Sequence, residues 1–75
     1  MKATKQDYDY LIDQLTNFMM YYASGESFVE QLTAETSFLH TDLEEIWRLY
    51  QIMDGKTAFD MTNYDWYDWI KTLTN

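Results

Sequence analysis

The chain has no cysteine, no proline, two glycines and only five lysines and arginines among its 75 residues. Without cysteine there is no disulfide, no thiol nucleophile and no thiolate for zinc, and the single histidine, His40, leaves too few ligands for a structural zinc site. The absence of proline and the scarcity of glycine leave few residues that disfavour helices. Five cations are too few to neutralise a row of phosphates. These absences favour a helical protein that binds neither metal nor nucleic acid.

Acidic and aromatic side chains are abundant. Thirteen Asp and Glu give a formal net charge of −8, and the hydrophobic and aromatic shares are 47% and 19%. High charge with low hydrophobicity is typical of disorder, but this apolar content is enough for a core. We therefore expect residues 1–75 to form one acidic helical domain with an acidic surface. Such a surface attracts basic partners and repels nucleic acid and anionic membranes.

Size limits the stability of this domain. A core of this size rarely supplies more than about 3–5 kcal/mol without disulfides or metal. Dense aromatic packing or self-association must therefore support the fold. No run approaches the roughly 20 apolar residues of a membrane span. Together with the lack of cysteine, this favours a cytoplasmic protein without a membrane segment.

A first helix is predicted from the spacing of apolar residues. Thr4 is its expected N-cap, with Asp7 three residues later. The pattern continues to Tyr22, and Ser24 and Gly25 are expected to stop the helix. The predicted inner stripe comprises Tyr8, Leu11, Ile12, Leu15, Phe18, Met19 and Tyr22.

A second helix is predicted over residues 27–34. Ser27 and Glu30 have the spacing of a capping box. The expected buried side consists of Phe28, Val29 and Leu32. A turn over residues 35–40 follows, with Phe38 directed inward.

A third helix is predicted to begin at Thr41. Glu44 lies three residues after Thr41, at the acidic position of a capping box, and is expected to pair with Arg48 one turn later. Gly55 is typical of the residue that follows a helix C-terminus. The expected inner stripe comprises Leu43, Ile46, Trp47, Tyr50 and Met53.

The last part of the chain predicts one short turn and one helix. The turn covers residues 57–60 around Phe59. Thr62 or Asn63 is expected to cap the final helix, with Asp65 in its first turn and Lys71 near its C-terminus. Its inner stripe comprises Trp66, Trp69, Ile70 and Leu73. The whole pattern predicts an all-α, compact bundle of four to five short helices with a tri-helical core.

Known functional motifs are absent or incomplete. The spacing between Leu32 and Trp47 resembles a helix-turn-helix, but its second helix begins with acidic residues where phosphate contacts need cations. Gly55-Lys56-Thr57 lacks the earlier glycine of a phosphate-binding loop. The serines have only His40 as a base. The sequence therefore predicts no catalytic, cofactor or metal site.

Residues 64–69 form the densest aromatic and acidic run. Helical spacing directs Trp66 and Trp69 inward and leaves Tyr64 and Tyr67 near the boundary. One interpretation is a core with solvated carboxylates. The other is a binding patch with aromatic anchors and an acidic rim. The candidate protein-binding residues are Asp9, Asp13, Glu44, Glu45, Asp60, Asp65, Asp68, Tyr64 and Tyr67.

Several features follow a recognisable order along the chain. They are an aromatic opening over residues 18–22, Ser37-Phe38, Thr41-Asp42 through Glu45-Ile46, Tyr50, and an ending around Tyr64-Asp65 and Trp69. In this order the chain resembles the YozE-type, SAM-like family of small helical proteins. Leu39-His40 stands where that family has proline. The resemblance implies a compact four-helix, SAM-like fold and transfers no site residue.

In composition the chain also resembles phage-borne acidic inhibitors, including anti-restriction and anti-CRISPR proteins that imitate DNA. The favoured hypothesis is a non-enzymatic interaction module that needs no cofactor and binds a basic protein surface. In its narrower form, the protein blocks a nucleic-acid-binding enzyme by DNA mimicry. The alternative is a SAM-like housekeeping domain that forms a homodimer or binds another protein.

Overall fold

The computed structural model describes residues 3–74, and within this range the chain forms five α-helices, one 3₁₀ turn and no strand. The prediction of a compact all-α fold with four to five helices is confirmed. The predicted domain also includes Met1, Lys2 and Asn75, which lie outside the described residues. The elements are α1 (Lys5–Asn17), the 3₁₀ turn (Met19–Tyr21), α2 (Gly25–Glu35), α3 (His40–Ile52), α4 (Gly55–Asp60) and α5 (Asn63–Leu73).

The predicted start of α1 is confirmed, but its predicted end is wrong. Thr4 Oγ1 accepts the Asp7 N–H at 3.2 Å, and the Asp7 carboxylate accepts the Thr4 N–H at 3.0 Å. The helix ends at Asn17 rather than Tyr22, and a separate 3₁₀ turn follows. Thr16 donates its hydroxyl hydrogen to the Ile12 carbonyl at 2.9 Å. Such back-bonding by Thr weakens a helix.

Ser24 and Gly25 start α2 instead of stopping α1. The Ser24 hydroxyl accepts the Ser27 N–H, and the Ser27 hydroxyl accepts the Ser24 N–H, each at 3.2 Å. This reciprocal pair replaces the predicted box of Ser27 with Glu30. Gly25 is therefore the first helical residue. The cap moves upstream because Ser24, like Ser27, has a short hydroxyl that can satisfy free N–H groups.

The boundaries of α3 and α4 also differ from the prediction. α3 begins at His40, and no side chain caps it. Gly55 is the first residue of α4, whereas the sequence predicted it as the glycine that ends α3. The Asp54 carboxylate accepts the Thr57 N–H at 3.2 Å and so starts a six-residue helix. An aspartate N-cap extends the predicted turn around Phe59 toward the N-terminus.

The predicted cap of α5 is confirmed. Thr62 Oγ1 accepts the Asp65 N–H at 3.1 Å, and the Asp65 carboxylate accepts the Thr62 N–H at 3.0 Å. Lys71 lies in the last turn, where a cation opposes the negative end of the helix dipole.

The core lies where α1, α2, α3 and α5 meet. α2 packs on α3, while α1 and α3 each pack on α5. Trp66 is 2% exposed, and its ring lies 5.6 Å from Trp69 and 6.0 Å from Tyr50. Phe38 is buried as predicted. The buried side chains are Leu11, Ile12, Leu15, Phe28, Val29, Leu32, Phe38, Leu43, Ile46, Trp66 and Ile70.

None of the helices in residues 3–74 has the length and apolar character that crossing a membrane requires.

Candidate protein-binding site

Four of the predicted site residues line one groove, which has a volume of about 570 Å³. α1 lies against α5, and both helices contribute to the walls. Asp9 and Asp13 are one turn apart and therefore share a face of α1. Tyr64 and Tyr67 have the equivalent relation on α5. We call this the α1–α5 groove; its remaining lining residues are Ile12, Thr16, Asn17 and Asn63.

The two carboxylates of the α1–α5 groove differ in their partners. Asp9 accepts a hydrogen bond from Lys5 Nζ at 2.9 Å, and this bond raises the pKa of Lys5. Asp13 accepts a hydrogen bond from Asn17 Nδ2 at 2.8 Å. Within residues 3–74, no lysine or arginine pairs with Asp13. The uncompensated negative charge of this groove therefore lies at Asp13.

The two tyrosines of the groove also differ. Tyr67 is half-buried, and its ring centroid lies 4.7 Å from that of Tyr8 and 5.8 Å from Lys71 Nζ. Tyr64 is 76% exposed. Tyr67 is therefore held by its neighbours, whereas Tyr64 presents its ring to solvent and to any partner.

The α1–α5 groove continues into a second groove beside α4. This α4 groove has a volume of about 560 Å³ and shares Thr16, Asn17 and Asn63 with the first. Its other lining residues are Leu15, Tyr50, Gly55, Ala58, Phe59, Met61 and Trp66. Phe59 is 89% exposed, whereas the sequence predicts it only as part of a turn. The signal in the sequence is a phenylalanine in a segment too short to show a helical stripe that would bury it.

Glu44 lies in a different place. It lines a groove of about 490 Å³ between α2 and α3, with Glu26, His40 and Trp47, and this groove shares no residue with the other two. His40 Nε2 lies 3.7 Å from Glu44 Oε1. The predicted acidic residues therefore do not all converge on one groove.

Glu45 is occupied by an ion pair. Arg48 Nη2 lies 2.6 Å from Glu45 Oε1, so the predicted partner of Arg48, Glu44, was wrong. The i,i+3 spacing also places two side chains on one face, and Glu44 instead lies toward His40. The hydrogen bond from Arg48 lowers the pKa of Glu45. The Glu45 carboxylate therefore stays ionised to lower pH, but Arg48 already neutralises its charge.

Three predicted aspartates lie near or on α5. Asp65 belongs to the capping box. Asp60, at the end of α4, and Asp68 make no side-chain hydrogen bond or ion pair with any residue from Ala3 to Thr74. Asp60 and Asp68 therefore remain available to a partner, whereas Asp65 has a structural task.

Substitution of Asp65 and of Asp68 should distinguish the capping carboxylate from the exposed one. We expect Asp65→Ala to lower the free energy of unfolding by about 0.5–1 kcal/mol, because it removes the carboxylate that accepts the Thr62 N–H and a favourable charge in the first turn. Asp68→Ala, an identical change three residues later, should leave stability within about 0.5 kcal/mol. Urea unfolding followed by circular dichroism measures both. Equal losses would contradict the separation.

Comparisons with models of known protein families, with curated proteins and with solved structures find no match to this chain. Both resemblances therefore stay predictions. Among residues 3–74 no three His, Asp or Glu side chains are grouped in a way that could hold a metal ion.

Proposed function

We propose that this protein is a non-enzymatic interaction module that binds a basic protein surface through the α1–α5 groove. The observation that carries the proposal is the convergence of Asp9, Asp13, Tyr64 and Tyr67 on that groove. Two separate helices supply these side chains; among residues 3–74 no cation pairs with Asp13, and the Tyr64 ring is largely exposed. An arginine or lysine side chain has the chemistry that complements both.

The carboxylates and the tyrosines have different tasks in this proposal. The net charge of −8 steers a basic partner toward the protein and increases the association rate. An exposed ion pair contributes only about 0.2–1 kcal/mol, so Asp13 contributes mainly specificity. Tyr64 offers a large exposed ring that a guanidinium group can cover. Aromatic contacts of this kind supply most of the affinity in many interfaces.

DNA mimicry is the narrower form of the proposal. It requires that the partner's basic surface normally binds nucleic acid, and it predicts that duplex DNA competes with this protein. The separate location of Glu44 favours the broader form, in which a local groove rather than a long row of carboxylates makes the contact.

The test uses a short arginine-rich peptide as the basic ligand. We expect calorimetry to show binding that weakens steeply with added salt. Asp13→Asn should weaken binding about three- to fivefold, since an exposed pair is worth up to about 1 kcal/mol. Tyr64→Ser should weaken binding about tenfold by removing the exposed ring.

Glu35→Gln is the matched control, because it removes one exposed carboxylate at the end of α2, away from the grooves. Its affinity should equal that of the unmodified protein within about twofold. If Asp13→Asn and Glu35→Gln weaken binding equally, only net charge matters and the groove is not the site.

A further inference from the structure

Two lysines lie at the edge of the α1–α5 groove, where α1 begins and α5 ends. Lys5 Nζ lies 2.9 Å from Asp9 Oδ2, and Lys71 Nζ lies 5.8 Å from the centroid of the Tyr67 ring. Asp9 and Tyr67 both line the groove, so each ammonium group is placed beside a lining residue. This end of the groove therefore carries positive charge next to its carboxylate.

The two helices run in opposite directions, which gives the groove two different ends. Tyr8 Oη, near the start of α1, lies 3.4 Å from Thr74 Oγ1, which follows α5. At the other end, Asn17 and Asn63 line the groove together; they are the last residue of α1 and the first residue of α5. The exposed ring of Tyr64 belongs to this second end. The lysines and the exposed ring therefore lie at opposite ends.

The charges that remain unpaired along the groove have opposite signs. Asp13 has no cationic partner, and Lys71 forms no ion pair with any carboxylate in the part of the chain that the structure describes. The charge of Lys5, in contrast, is balanced by Asp9. Tyr64 and Lys71 are seven residues apart in α5, so they share a face and are separated by about 10 Å along the helix axis. The groove thus offers a carboxylate and a ring to a cation, and an ammonium group further along to an anion.

We propose that the α1–α5 groove selects a partner segment that carries an arginine and, about 10 Å away, a carboxylate. This inference rests on the proposed function and adds the charge pattern of the segment that binds. The guanidinium group pairs with Asp13 and covers the Tyr64 ring, while the carboxylate pairs with Lys71. A purely basic segment fits less well, because its second cation meets Lys71 and finds Asp9 already paired with Lys5.

The test compares two short peptides with blocked ends that differ in one residue. Each contains an arginine, two prolines and then either glutamate or glutamine. The prolines favour a polyproline II helix, which holds the first and fourth side chains on one side, about 9 Å apart. Net charge alone favours the glutamine peptide, because it is more positive and the protein carries −8. We expect the glutamate peptide to bind about two- to fivefold more tightly in titrations followed by nuclear magnetic resonance.

Two lysine variants show whether Lys71 makes the contact. Lys71→Met removes its ammonium group and should reverse the preference, so that the glutamine peptide binds at least as tightly. Lys56→Met is the matched control, because it removes the same charge from a residue of α4 that lines none of the three grooves. This control should retain the preference for glutamate. Circular dichroism checks that both variants keep the fold.

Each other outcome has a definite meaning. Equal binding of the two peptides, or a preference for glutamine, would overturn the charge pattern; if Asp13→Asn still weakens both peptides, the proposed function remains intact. A preference for glutamate that survives Lys71→Met would also overturn the charge pattern. Peptide binding that neither Asp13→Asn nor Tyr64→Ser weakens would overturn both proposals. A dimer in sedimentation that Lys71→Met dissociates would overturn the charge pattern, because a second copy of the chain would then fill the groove.

Discussion

Phe28→Ala is expected to leave most of the molecules unfolded, whereas Phe59→Ala should leave the stability of the protein almost unchanged. Phe28 is fully buried, and its ring lies 5.3 Å from Tyr22 and 5.2 Å from Trp47. A buried Phe→Ala change costs about 3–5 kcal/mol, which is comparable to the total stability of a domain of this size without disulfides or metal. Phe59 is 89% exposed and loses little by truncation.

Thermal and urea unfolding, monitored by circular dichroism, measure this difference. Phe28→Ala should lack a cooperative transition or show one at a much lower midpoint. Phe59→Ala should follow the unmodified protein within about 0.5 kcal/mol. Similar midpoints for the two variants would mean that Phe28 does not hold the core together. A large loss at Phe59 would mean that its ring is covered, which would also remove it from the α4 groove.

Gly25→Ala and Gly55→Ala are expected to change stability in opposite directions. Both glycines are the first residue of a helix, and neither has a positive φ. Alanine should normally stabilise such positions by about 0.4–1 kcal/mol, because it restricts the unfolded chain. At Gly55 nothing lies within 4 Å of an added Cβ, so this gain should appear.

At Gly25 the added methyl group meets a tryptophan. A Cβ there would lie 2.5 Å from Trp47 Nε1 and 2.7 Å from Cδ1. The indole ring also packs against Phe28 and cannot move away freely. We expect a net loss of about 1–3 kcal/mol, which is typical of overpacking, measured by urea unfolding. A stabilising effect at both glycines would show that Trp47 can move and that the close approach does not matter.

The sequence predicted those features that depend on local spacing. Caps at Thr4 and Thr62 and the inward direction of Phe38 and Trp66 are confirmed. Each follows from helical periodicity or from a short polar side chain three residues before its partner.

The two glycines show where local patterns are ambiguous. A glycine beside Ser24 or Asp54 can end one helix or follow the cap that starts the next. The capping bonds to Ser27 and Thr57 select the second outcome. A stripe of apolar residues through Tyr22 could not reveal the break after Asn17, because a 3₁₀ turn repeats every three residues and so continues a stripe of nearly helical spacing.

The candidate site could be predicted only in part. Helical spacing places Asp9 and Asp13 on one face and Tyr64 near Tyr67. That these two pairs line a common groove depends on the packing of α1 against α5, which joins distant parts of the chain. The exposure of Phe59 depends on how a six-residue helix rests on its neighbours, and such a helix is too short to show a period.

The location of the binding site can be measured by nuclear magnetic resonance. The isotope-labelled protein is titrated with the arginine-rich peptide, and changes in the backbone amide signals are followed residue by residue. We expect the largest changes around Asp13, Asn17, Tyr64 and Tyr67, with smaller changes extending to Phe59. Changes centred on Glu26, Glu44 and Trp47, or spread evenly over all acidic residues, would contradict binding through the α1–α5 groove.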